Sequence, residues 1–270
     1  GRFDKKVKRV EDWLKVTDNS RADFYPELWI ENGEKARLSD DISGNKRSTP
    51  KSSEKSSWPV SPGRLTFIWD NMKAPNQLAE DSPVGFFQCN IDLKGKALHT
   101  RNFQLAVSGG WGSTGEAGRK IGQAAARSKQ AAIEFTLLPE PDQQGTILLF
   151  AGNKKRMLSL EQDRETFRLV VGSDSREAVW KDVFATRGPL HLSLNIDQKA
   201  AELFVNGKSR GKKKLEIDFT ARPIDAFYVG DIDGEWIGII EKIAVYDQLL
   251  SGQQVEKNSS LIQRNIKNRD

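Results

Sequence analysis

Leu190-His191-Leu192-Ser193-Leu194-Asn195-Ile196-Asp197 places four aliphatic side chains at alternate positions, with histidine, serine, asparagine and aspartate between them. Successive side chains of an extended backbone point to opposite faces, so this period of two describes a strand with one face on a core. A tight turn leads to Glu202-Leu203-Phe204-Val205, and Asn206-Gly207 then supplies the dipeptide that two-residue hairpin turns favour, because both of its residues take positive φ readily. Strand, turn, strand and turn in so short a span leave no room for crossover helices. The sheet they build is antiparallel.

The same texture extends in both directions. Upstream, Leu65, Phe67 and Trp69 alternate with Thr66 and Ile68, and Phe103, Leu105 and Val107 and then Ile133, Phe135 and Leu137 repeat the pattern. Residues 145–151 are apolar on both faces, as suits a strand buried within a sandwich. Leu158 and Leu160 precede a turn at residues 161–165, and Phe167, Leu169 and Val171 follow it, which is a second hairpin. Downstream, residues 228–230 and 239–246 complete about ten strands, the number and spacing expected of a sandwich. Ser251 and Gln254 form a capping-box pair ahead of Val255, Ile262 and Ile266, so the last segment reads as a helix on or leaving the sandwich.

The first residues differ. Val7, Val10, Trp13 and Leu14 have helical spacing, and residues 24–30 are an apolar-aromatic strand or packing arm. Between Ser39 and Ser57 the chain holds seven serines and a single aliphatic residue, Ile42, too little apolar surface to offset the entropy of ordering. The expected organisation is an N-terminal arm at 1–38, a flexible linker at 39–57, a sandwich at 58–250 and a C-terminal helix and tail at 251–270. Beginning at Gly1, the chain is expected to follow a preceding domain of the same polypeptide.

Composition narrows the function. Charged residues make up 29% and hydrophobic ones 37% of 270 residues, polar for a folded body but not a disordered composition. Cys89 is the only cysteine, so no internal disulfide and no cysteine metal cage can form. No apolar run reaches the ~20 residues of a membrane-spanning helix. The formal charge of +5 gives a mild leaning towards acidic partners.

Several local patterns carry candidate chemistry. Lys208, Arg210, Lys212, Lys213 and Lys214 cluster after the Asn206-Gly207 turn, where they would attract sulfated or carboxylated polymers, or simply guard an edge strand. Nucleic acid is disfavoured because no aromatic residues interleave with these cations. Of the seven tryptophans, Trp69 falls on the apolar side of its strand, whereas Trp111, Trp180 and Trp236 fall in or near expected loops and are candidates for stacking on sugar rings. Gly110-Trp111-Gly112-Ser113-Thr114-Gly115 matches the dinucleotide fingerprint, but the hairpins beyond Pro141 exclude the repeated strand-helix units such a site needs, and Trp111 would crowd the backbone approach. That stretch reads as a Gly-rich loop ahead of a short helix. Only His99 and His191 could serve a nucleophile triad. His191, Ser193 and Asp197 share a strand face but lie too far apart along it, so His191 is expected to be exposed or to face a groove.

Residues 132–137 and 146–151, the hairpin at 190–207 with Lys208 after it, and the closing run at 234–251, through Glu241-Lys242-Ile243-Ala244-Val245-Tyr246 to Leu250-Ser251, keep the order and spacing of a known superfamily. From about Pro62 to Asn258 the chain resembles the laminin-G-like jelly rolls of the concanavalin-A-like lectin and glucanase superfamily, in the branch found in secreted bacterial proteins. The resemblance implies a non-catalytic module of an extracytoplasmic protein that binds carbohydrate, an acidic polysaccharide or another extracellular ligand. It implies calcium as the metal, for which Asp231 and Asp233, with Asp70 and Asn71, offer hard oxygens, although no spacing reproduces a ligand set. It also brings a rival, glycoside hydrolysis by Glu216 and Asp218, but Thr220 and Ala221 stand where a third carboxylate is expected. A structural spacer without any ligand is the other alternative.

Overall fold

In the computed structural model the described residues are 58–60, 64–70, 91–100, 104–115, 117–172, 176–220, 223–230 and 235–267. The readings made for residues 1–57, Asn71, Cys89, Phe103, Asp231 and Asp233 lie outside them, as does the side chain of Ile266. Fifteen strands and two helices follow one another among the described residues. The first five strands are β1 (Leu65–Asp70), β2 (Asp92–Gly95), β3 (Leu98–His99), β4 (Leu105–Val107) and β5 (Gly110–Ser113). Helix α1 (Ala117–Ser128) precedes β6 (Gln130–Pro139), β7 (Gln144–Gly152), β8 (Lys155–Asp163), β9 (Thr166–Val171) and β10 (Arg176–Trp180). Then come β11 (Leu190–Asp197), β12 (Ala200–Val205), β13 (Lys208–Lys214), β14 (Ala226–Val229), β15 (Gly238–Tyr246) and helix α2 (Gly252–Lys267).

The strands form an all-β, two-sheet antiparallel sandwich. One sheet runs β13-β12-β11-β6-β15-β4-β3, with β1 laddered on the same side of β15 as β4 but further along it, and the other runs β10-β9-β8-β7-β14-β5-β2. Because β11 pairs with both β12 and β6, its aliphatic residues lie in the middle of the first sheet, and Leu192 and Leu194 meet Phe135 and Ile133 on the inner face. The two inner faces interdigitate: Phe227 of β14 stacks on Phe150 of β7 at 4.5 Å between centroids and takes the edge of Phe67 from β1 at 5.3 Å. Helix α1 carries the chain from the second sheet to the first and buries Ala117, Ile121, Ala124 and Ala125.

Three local expectations are corrected. Gly110–Ser113 is not a loop but the strand β5, held between β14 and β2 through Gly112, which pairs with Val229 on one side and Leu93 on the other. The β8–β9 turn is shorter than expected, since β8 runs on to Asp163 and Arg164, at φ 54, makes the bend. The polar face of β11 is covered rather than solvated: His191 and Ser193 are fully buried, because α2 lies across that side of the sheet. The capping box at the start of α2 forms as its residues require, with Ser251 N–H donating to Gln254 Oε1 at 2.9 Å and Gln254 N–H to Ser251 Oγ at 3.3 Å.

Candidate functional site

The basic cluster is built by one hairpin. Asn206 and Gly207 turn the chain at φ 50 and 84, and Asn206 Oδ1 is fixed by the N–H of His191 at 2.9 Å. The strand that leaves the turn is β13, the edge of its sheet, and all seven of its residues are exposed. Its cations divide into two kinds. Lys212 reaches Asp197 Oδ2 at 3.4 Å, and Arg210 donates to the carbonyls of Lys181 and Asp182 at 3.1 and 3.4 Å, which lays its guanidinium across the edge of the sandwich. Lys208, Lys213 and Lys214 meet no carboxylate among the described residues. Their charge is left to solvent.

Asp197 shows how this edge is held. Burial raises its carboxyl pKa, but the N–H groups of Lys199 and Ala200, at 2.7 and 2.8 Å, and the Lys212 ammonium outweigh burial and keep it below the ordinary range. The carboxylate ties the β11–β12 turn, and the ion pair with Lys212 is an exposed one of small energetic weight.

Of the three tryptophans proposed to stack on sugar, two are corrected to the core. Trp180 is the last residue of β10, 3% exposed, and its Nε1–H donates to Gly211 O of β13 at 2.9 Å. It pins the edge strand of one sheet to that of the other. Trp236 is fully buried and donates from Nε1 to Gln162 Oε1 at 2.8 Å. Its ring lies flush on Gly238, where any Cβ would overlap it. Trp111 is half-buried on β5, edge-on to Tyr228 at 5.2 Å and opposite the exposed Lys94. Trp111 and β13 do not converge: β5 lies five strands from β10, the strand beside β13, or about 24 Å at ordinary strand spacing.

The carboxylates proposed for catalysis lie just past β13. Leu215, Ile217 and Phe219 turn inward while Glu216 and Asp218 point out, so the two acids do share a side. Asp218 Oδ1 accepts from Thr220 N and Oγ1 at 2.8 and 2.7 Å, which closes a turn. Of the proposed calcium ligands, Asp70 is buried against the Lys242 ammonium, which takes the place a cation would fill. Among the described residues no group of three or more His, Cys, Asp and Glu side chains could hold a metal ion.

A second polar assembly was not expected. Glu134 of β6 is fully buried, and its Oε2 accepts from Tyr246 Oη at 2.9 Å and from Asn258 Nδ2 of α2 at 2.8 Å. His191 Nε2 stands 3.5 Å from Oε1. Asn195 clamps both backbone groups of Leu250, and Trp58 lies 5.3 Å over Lys242, so α2 and the Trp58 segment together close this face. The sequence holds one clue. Val255, Asn258, Ser259 and Ile262 form the inward stripe of α2, and two small polar residues within an apolar stripe signal polar groups beneath it.

The fold is thus that of a two-sheet antiparallel β-sandwich with one exposed basic edge. No family model matches the chain, and a comparison with curated proteins finds no match. Among solved structures it is similar to the receptor-binding domain of botulinum neurotoxin C/D mosaic serotype, at 11% identity and a TM-score of 0.56, over 74% of this chain and 52% of that one. The binding domain of botulinum neurotoxin serotype D/C VPI 5993 matches at 10% identity and 0.57, over 74% and 53%. A botulinum neurotoxin type C structure, described for cell entry dependent on two ganglioside molecules, matches at 12% and 0.51, over 64% and 46%. The chain spans about half the length of these binding domains, and at such identity the likeness is one of fold.

Proposed function

We propose that the chain is a non-catalytic binding module of an extracytoplasmic protein and that its ligand is an acidic glycan lying along β13. The observation that carries this reading is the exposed edge strand whose Lys208, Lys213 and Lys214 have no carboxylate partner among the described residues. Cations at a sheet edge also guard it against unwanted pairing, and five basic residues in seven concentrate positive charge along the same exposed strand. The structural neighbours support the class of ligand: one is described with two ganglioside molecules and another in complex with SialylT. Trp111 beside Tyr228 is a separate stacking surface, outside this edge.

Heparin binding at low and high salt tests the proposal. Binding is expected at low salt and should weaken steeply as salt screens exposed charge. Replacing Lys213 and Lys214 together by Glu should weaken it about tenfold, taking roughly 0.7 kcal/mol for each exposed ion pair removed. Salt-independent binding, or an unchanged affinity in the double variant, would overturn the reading.

A further inference from the structure

The basic edge runs into a pocket. Beyond Lys214 the chain stays extended, with the N–H groups of Leu215 and Ile217 held by the carbonyls of Lys199 and Gln198. Where β8 begins and β9 ends, this segment walls a cavity of about 140 Å³. Met157, Val171, Ile217 and Phe219 give it apolar walls, and Arg176 and Asp218 are its charged lining residues among those described. Arg176, the exposed first residue of β10, donates from Nη1 to Glu216 O at 3.1 Å, so its guanidinium sits two residues along the chain from the last lysine of β13. Among the described residues it meets no carboxylate.

We infer that this pocket takes one sugar ring bearing a carboxylate, at the end or at a branch of the acidic glycan that lies along β13. The inference rests on the reading given under the proposed function. Size comes first: an engineered apolar cavity of about 150 Å³ accommodates benzene, so about 140 Å³ is room for the six-membered ring itself, with the substituents of the sugar left at the open mouth. Chemistry comes next. The C–H face of a pyranose suits apolar walls, and the planar fork of an arginine suits a carboxylate, to which it can give two parallel hydrogen bonds. Charge sets the limit. Asp218 repels a second anionic group on the same ring, so the pocket favours one acid group per sugar over a multiply sulfated unit.

The test is titration of the full chain with sodium glucuronate and with glucose, followed by calorimetry and by NMR shifts, for wild type, Arg176→Gln, Arg176→Lys and Asp218→Asn. Glucuronate should bind roughly tenfold more tightly than glucose, the worth of one charge-assisted pair. Arg176→Gln should erase that preference, Arg176→Lys should restore part of it, and Asp218→Asn should strengthen glucuronate about twofold by removing an exposed like charge. Arg176 is exposed, so none of these losses should come with a lowered melting temperature. Equal binding of the two sugars by wild type, an unchanged preference in Arg176→Gln, or shifts that map away from Ile217 and Phe219 would each overturn the inference. Heparin separates it from the reading it rests on. If heparin binding fails or ignores the Lys213 and Lys214 substitutions, the β13 reading falls. If heparin behaves as expected while glucuronate shows no preference, only the pocket falls.

Discussion

Glu134 is an acidic side chain removed from water, and what its burial costs depends on the donors around it. Burial of a polar group is tolerated where hydrogen bonds replace those of water, and Tyr246 and Asn258 provide two, both to Oε2. Burial, and after it the neighbouring Glu134, hold the proton of Tyr246 well above its ordinary range, so the phenol remains a donor at every pH at which the protein is handled. Tyr246→Phe should therefore cost about 2 kcal/mol in urea unfolding, the penalty for leaving a buried acceptor short of a donor. Glu134→Gln changes the same network from the other side, and the double variant should lose less than the sum of the two single losses, because both remove one interaction. Strict additivity would show that Tyr246 and Glu134 are not energetically linked. None of this could be read from residues 132–137 alone, where Glu134 looks like the outward member of an alternating strand. What buries it arrives in α2, 124 positions later in the chain.

Elements divide by how local their determinants are. The β11–β12 hairpin, the Asn206-Gly207 turn and the capping box of α2 are written in contiguous residues, and the structure forms all three. The three tryptophans are not so written. Whether an indole lies in a loop or in the core depends on what the sheets bring against it: Gly238 and Gln162 for Trp236, and Gly211 for Trp180. The basic edge was legible as a charge cluster, but its position at the rim where both sheets end, and the pocket beside it, required the strand order. Packing of Trp236 gives the test at this scale. A methyl group at Gly238 has no space beneath the ring, so Gly238→Ala should destabilise the protein by about 2 kcal/mol, within the range for overpacked cores. Trp236→Phe in the same background should recover part of the loss by shrinking the ring. A Gly238→Ala protein as stable as wild type would mean that β15 slides to make room.

At the scale of the molecule, the strand order separates two surfaces. The β13 edge, with Arg176 at its far end, lies where β10 and β13 come together, whereas Trp111 and Tyr228 face outward about 24 Å away across the second sheet. A ligand held by β13 alone has a length to match. Seven residues of extended chain span about 23 Å, so the affinity of heparin oligosaccharides should rise with chain length until they reach that span and then level off. Trp111→Ala should leave that curve unchanged within about twofold, since the residue is beyond the reach of a ligand ending at the pocket and its loss is that of a half-exposed side chain. An affinity that keeps rising past the length of β13, together with a loss in Trp111→Ala, would mean that the polymer wraps across the second sheet and that both surfaces form one site. A plateau with Trp111→Ala silent would confine recognition to the edge, where three lysines without a carboxylate partner among the described residues and one arginine at the mouth of a ring-sized pocket set both the charge and the length of what binds.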